Sequence, residues 1–83
     1  MPTSPGSYKS AELYLSAYLL ATGSTLKTHE HQDDHTVFVF DNEDGTVAKV
    51  KEFFNNKPVP VGSFVNALLN LRHIIRRRQG ERR

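Results

Sequence analysis

Thr36-Val37-Phe38-Val39-Phe40 is a run of β-branched and aromatic residues, the composition that fits a pleated, half-buried strand. Alternation places Phe38 and Phe40 on one side and Val37 and Val39 on the other, so both faces are apolar and neither can stand fully in water. Upstream, Leu26-Lys27-Thr28-His29-Glu30-His31 is a second run with β preference, and the polar link Gln32-Asp33-Asp34-His35 is short enough to close a hairpin. A hairpin of this kind needs cover, and the flanking segments supply it as helices.

On the N-terminal side, Ala11-Glu12-Leu13-Tyr14-Leu15-Ser16-Ala17-Tyr18-Leu19-Leu20-Ala21 precedes Gly23. Ser7 or Ser10 can cap the start and Gly23 suits the left-handed residue that follows a helix, which predicts a helix over about 9 to 22. Its polar groups, Lys9, Glu12 and Ser16, share a wedge about 60° wide, while Leu13, Ala17 and Leu20 carry the apolar surface around the back; such a helix is normally buried. On the C-terminal side, the acids of Asp41-Asn42-Glu43-Asp44-Gly45 suit a helix start, and Val47, Val50, Phe53 and Phe54 recur at helical spacing over about 44 to 54. Asn55-Asn56-Lys57 ends that helix. Pro58-Val59-Pro60-Val61 reads as extended, at most a short edge strand. A last helix runs from about 61 or 62 to 78, with a core stripe of Phe64, Leu68, Leu71 and Ile75. Val61, Val65, Ala67, Leu69 and Ile74 widen its apolar arc to about 220°, well beyond the roughly 100° that one core contact requires.

The expected architecture is α+β: a small two-layer domain in the order α-β-β-α-(short β)-α, with an antiparallel hairpin packed against helices. Residues 1–7 read as a disordered tail, 8–79 as the single domain and 80–83 as a basic tail. A chain of 83 residues buries only about 60% of the surface that it exposes unfolded. Two helices with more apolar surface than such a chain can cover predict self-association, most simply a homodimer, with Leu13, Ala17, Leu20, Val65 and Leu69 at the interface.

Net charge +2 is an average of two unlike parts. All six arginines lie from Arg72 onward, where Glu81 leaves +5; the first seventy-one residues hold five lysines against eight acids, or −3. The absence of cysteine removes disulfide frameworks, thiolate metal sites and cysteine nucleophiles. No apolar run approaches the roughly 20 residues that span a bilayer. A cytoplasmic protein with no membrane partner is expected.

Arg72, Arg76, Arg77, Arg78, Arg82 and Arg83 are candidate phosphate ligands, since guanidinium forks pair with phosphate oxygens and several together release counterions from nucleic acid. On the helix wheel Arg72 and Arg76 lie beside one another near Val65 and Leu69, while Arg77 points elsewhere. The bland alternative is a solubilising helix end whose cations suit the negative pole of the dipole. His29 and His31 share a strand face. An odd loop would bring His35 to that face and offer a three-imidazole metal site, with Asp33, Asp34 or Glu30 as oxygen ligands. An even loop turns His35 away and sets Phe38 and Phe40 behind the histidines. His73 falls opposite the core stripe. The acids from Asp41 to Glu52 do not match a calcium loop, whose glycine and fifth-position ligand are missing. There is no phosphate loop, nucleophile motif or cofactor signature, and an enzyme is not expected.

The blocks Glu12-Leu13-Tyr14-Leu15-Ser16-Ala17-Tyr18-Leu19-Leu20-Ala21, Val37-Phe38-Val39-Phe40-Asp41, Glu52-Phe53-Phe54-Asn55, and Val59 to Phe64 leading into Ala67-Leu68 and Leu71 resemble a family of small bacterial and bacteriophage proteins known only as a domain of unknown function. The resemblance spans residues 9–76 and implies a bacterial or mobile-element setting but no activity. The chain departs from that pattern at Pro58, Pro60 and its arginine-rich end. The expected function is a non-enzymatic accessory or regulatory protein, homodimeric, that contacts nucleic acid through the arginines. The alternative is a protein-interaction module that works through surplus apolar helix surface, with the arginines docking an acidic partner.

Overall fold

A computed structural model describes residues 6–32 and 34–80, with the side chains of the last helix described through Arg77. Six elements follow in order: β1 (Tyr8–Ser10), α1 (Leu13–Ala21), β2 (Leu26–Gln32), β3 (His35–Phe40), α2 (Glu43–Phe54) and α3 (Val61–Gly80). The three strands form one antiparallel sheet in the order β1-β3-β2. α1 lies between α2 and α3 in the helical layer, since each of those helices packs on it. The α+β class and the antiparallel hairpin are as the sequence implies.

The edge strand is corrected. Tyr8–Ser10 is paired with Phe40, Val39 and Phe38, where the sequence reads as a helix start. Residues 58–60 carry no strand; instead the Pro60 carbonyl accepts from Phe64 N–H at 3.0 Å and opens α3. α1 accordingly begins at Leu13. Of the expected tail over 1–7, Gly6 and Ser7 are described, and the Gly6 carbonyl accepts from Glu43 N–H at 3.0 Å; residues 1–5 and 81–83 lie outside the described residues.

Of the polar wedge of α1, Ser16 is fully buried, and β1 brings Ser10 to it. Ser16 Oγ donates to the Glu12 carbonyl at 2.7 Å and lies 2.9 Å from Ser10 Oγ, with which it shares a second hydrogen bond, so the buried hydroxyl loses nothing by leaving water.

Phe38 and Phe40 point into the helical layer and join Leu15, Ala17, Tyr18, Leu19, Ala67 and Leu71 in one core cluster. A bulge between Leu26 and Thr28 shifts the register, so that Leu26 faces Phe40 and His29 faces Phe38 on the same side. On the reverse face Val37 and Val39 are also buried. There Lys9, opposite Val39, and Glu30, opposite Val37, meet at 3.6 Å. The aliphatic stems of those two edge residues shield the valines while their charges stay wet.

Gly23, at φ 101°, ends α1 with a pair of backbone bonds: Gly23 N–H to the Leu20 carbonyl and Ser24 N–H to the Leu19 carbonyl, at 3.2 and 2.9 Å. The positive φ makes glycine the natural choice there. Asn42 caps α2, its side chain accepting from Gly45 N–H at 3.3 Å, and Glu43 and Asp44 occupy the first turn. Those acids thus serve a helix start.

Candidate interaction face on the last helix

The core takes one side of α3, the twenty-residue last helix, and leaves the adjoining side open over the same turns. Ala67 and Leu71 are buried, and Phe64, Leu68, Ile74 and Ile75 are half-buried against the core. Opposite conditions hold one step round the helix, where Val61, Val65 and Leu69 are 77%, 42% and 57% exposed. Arg72 and Arg76, also exposed, continue the same row. At 100° per residue these five side chains span an arc of about 80°. The polar arc beyond them holds Asn66, Asn70, His73 and Arg77, all exposed.

The predicted interface residues divide. Ala17 is enclosed in the core and has no outward surface to offer, while Leu13 and Leu20 are half-buried against it. Val65 and Leu69 remain open. Val61 was not singled out as an interface residue, although its place four residues before Val65 was the available signal. Tyr14 and Phe54 are further exposed aromatics that periodicity had left in the apolar set.

Of the predicted phosphate ligands, Arg72, Arg76 and Arg77 are exposed. Among the described residues none of them meets a carboxylate; the ion pairs there are Lys9–Glu30 and Lys57–Glu52, and His35 Nδ1 lies 3.6 Å from Asp34 Oδ1. The side chain of Arg78, and Arg82 and Arg83 altogether, lie outside the described residues.

The hairpin loop settles the histidines. Gln32 pairs with His35 and His31 with Thr36, so the loop is Asp33-Asp34 and even. His35 therefore stands on the face opposite His29 and His31. Those two rings meet edge to face with centroids 5.4 Å apart, and Thr36 Oγ1 lies 3.3 Å from His31 Nδ1. Among the described residues no group of three or more His, Cys, Asp or Glu side chains is placed to hold a metal ion; Asp33 lies outside them.

Two polar features remain. Tyr18 hydroxyl donates to Glu52 Oε1 at 3.2 Å, and Glu52 Oε2 meets Lys57 Nζ at 3.4 Å. Burial, together with the hydrogen bond to Glu52 and the charge on that carboxylate, raises the Tyr18 pKa above its ordinary value. A cleft of about 140 Å³ lies between the α1–β2 turn and the start of α2. Its polar groups serve the fold: Lys49 Nζ donates to the Thr22 carbonyl at 2.6 Å and Thr46 Oγ1 to the Asp41 carbonyl at 2.9 Å. A cation on the last carbonyls of α1 is the favourable end of its dipole.

Among the described residues no helix is long and apolar enough to cross a membrane. The model of one protein family, described as Domain of unknown function (DUF5659), matches residues 6–77. No curated protein and no solved structure matches the chain.

Proposed function

We propose, for a chain that belongs to the DUF5659 family of unknown function, that it is a non-enzymatic interaction module whose working surface is the outer row of α3. The observation that carries this reading is the exposure of Val61, Val65 and Leu69 in one line on a helix whose neighbouring face is core. Each large aliphatic side chain left in water forgoes about 1.5–3 kcal/mol of burial, and aligned apolar exposure beside charged residues is characteristic of a docking surface.

A dimer would draw chiefly on α3, whose row is more exposed than the half-buried Leu13 and Leu20 of α1. Nucleic-acid contact is the second reading, and the exposure of Arg72, Arg76 and Arg77 without carboxylate partners favours it. One experiment separates the readings. Photo-crosslinking side chains placed at Val65 or Leu69 are expected to yield a discrete protein adduct in the host cell, whereas the same group at Asn66 or Asn70, on the polar arc, yields none. Adducts of equal yield from both arcs would contradict the docking row. Nucleic acid captured from Arg77 or His73, with no protein from Val65 or Leu69, would replace the first reading by the second.

A further inference from the structure

We infer that the occupant of the α3 row is an amphipathic helix of another protein that carries carboxylates at one end of its apolar stripe. This rests on the docking face proposed above and adds the chemistry and orientation of its partner. Val61, Val65 and Leu69 follow at four-residue steps, with Arg72 and Arg76 completing the line. The three aliphatic residues form an i±4n ridge, the feature that fits the groove between ridges of a second helix, and Arg72 and Arg76, after a three-residue step, fall back within the same arc. From Val61 to Arg76 the ridge is about 22 Å long, matched by a partner helix of roughly four turns that anchors through apolar residues at i, i+4 and i+7 spacing.

The charges choose among partners. Arg72 and Arg76 stand on the ridge without a carboxylate among the described residues, so a partner that covers the whole row must supply one or two at that end. Guanidinium–carboxylate pairs are bidentate and directional, and they fix which end of the partner lies over which end of α3. A second copy of the chain does not meet this need. Parallel pairing sets Arg72 and Arg76 against themselves. Antiparallel pairing about Val65 carries them past Val61 toward Pro58 and Phe54, where the first turn of α3 contains no acid and the nearby Glu52 is already engaged by Lys57 and the Tyr18 hydroxyl. Nucleic acid would use the arginines and leave the three aliphatic residues idle.

Two synthetic helical peptides of sixteen residues, identical in their leucine row and differing only in glutamate or lysine over the last turn, test the inference against the isotope-labelled chain by NMR titration. The glutamate peptide is expected to perturb the amides of the Val61–Arg76 ridge and to bind about ten-fold more tightly than the lysine peptide at low salt, the advantage shrinking as salt screens it. The double change Arg72→Glu/Arg76→Glu, on exposed positions and checked for an unaltered fold, is expected to reverse the preference. Equal binding of the two peptides along the ridge overturns the acidic partner while leaving the docking face intact. No perturbation of the ridge by either peptide overturns both. Concentration-dependent broadening of ridge signals without any peptide identifies a second copy as occupant and overturns the inference.

Discussion

Leu71→Ala is expected to remove about 2–5 kcal/mol of stability, against a total of about 4–12 kcal/mol for a domain of this length. Leu71 is fully buried at the contact between α3 and the core, so the substitution loses both the transfer free energy and the contacts around the cavity that it leaves. The melting temperature is expected to fall on the order of 10–30 °C. Leu69→Ala, two residues earlier on the same helix, is expected to change stability by no more than about 0.5 kcal/mol, because its side chain already stands in water. Chemical denaturation of the two variants checks the pair. Comparable losses would mean that α3 is rotated from the orientation described.

Phe40→Ala is expected to cost about 3–5 kcal/mol. Phe40 is fully buried, lies opposite Tyr8 on β1 and Leu26 on β2, and belongs to the cluster that joins sheet to helices. Its loss opens the centre of the sheet on the helical side. The reverse face depends on less. Lys9→Ala breaks the exposed pair with Glu30 over Val37 and Val39 and is expected to cost under about 1 kcal/mol. Urea titrations of both proteins measure the difference, and a Lys9→Ala loss as large as that of Phe40→Ala would show that the reverse face is the main core.

These expectations rest on features that were legible to different degrees. The two-sided apolarity of Thr36–Phe40 already marked β3 as a strand that could not be wet on either face, and its central place between β1 and β2 is the structural form of that constraint. β1 was not legible, because three residues carry no period and Ser7, Lys9 and Ser10 suit a helix start as well as a strand. The place of Ser16 beside the Ser10 hydroxyl is hidden with β1, although its bond to the Glu12 carbonyl lies within its own segment. The hairpin parity could not be read from Gln32-Asp33-Asp34-His35 either, because polar residues of this kind suit loops of two or three residues alike. The pairing of Gln32 with His35 decides it.

On α3 the width of the apolar arc was legible and its division was not. Helical periodicity places Leu68 and Leu69 in one broad arc, and only the side on which α3 meets the core turns Leu71 inward while leaving Leu69 out. On α1 the same packing encloses Ala17 and leaves Leu13 and Leu20 half-buried. The arginine pair was legible on the wheel beside Val65 and Leu69. Its bearing on a partner became visible once those two residues were seen to be exposed.

The chain contains no cysteine, so single cysteines placed at positions 61, 65, 69 and 71 report directly on which face of α3 is open. The thiols of Val61→Cys, Val65→Cys and Leu69→Cys are expected to react with a soluble disulfide reagent within about ten-fold of an unfolded peptide's rate, independently of protein concentration up to about 100 μM, while Leu71→Cys reacts only through opening of the fold. Protection of positions 65 and 69 in the isolated chain, at any concentration in that range, would contradict the account, because the row would then already be covered by the chain itself or by a second copy.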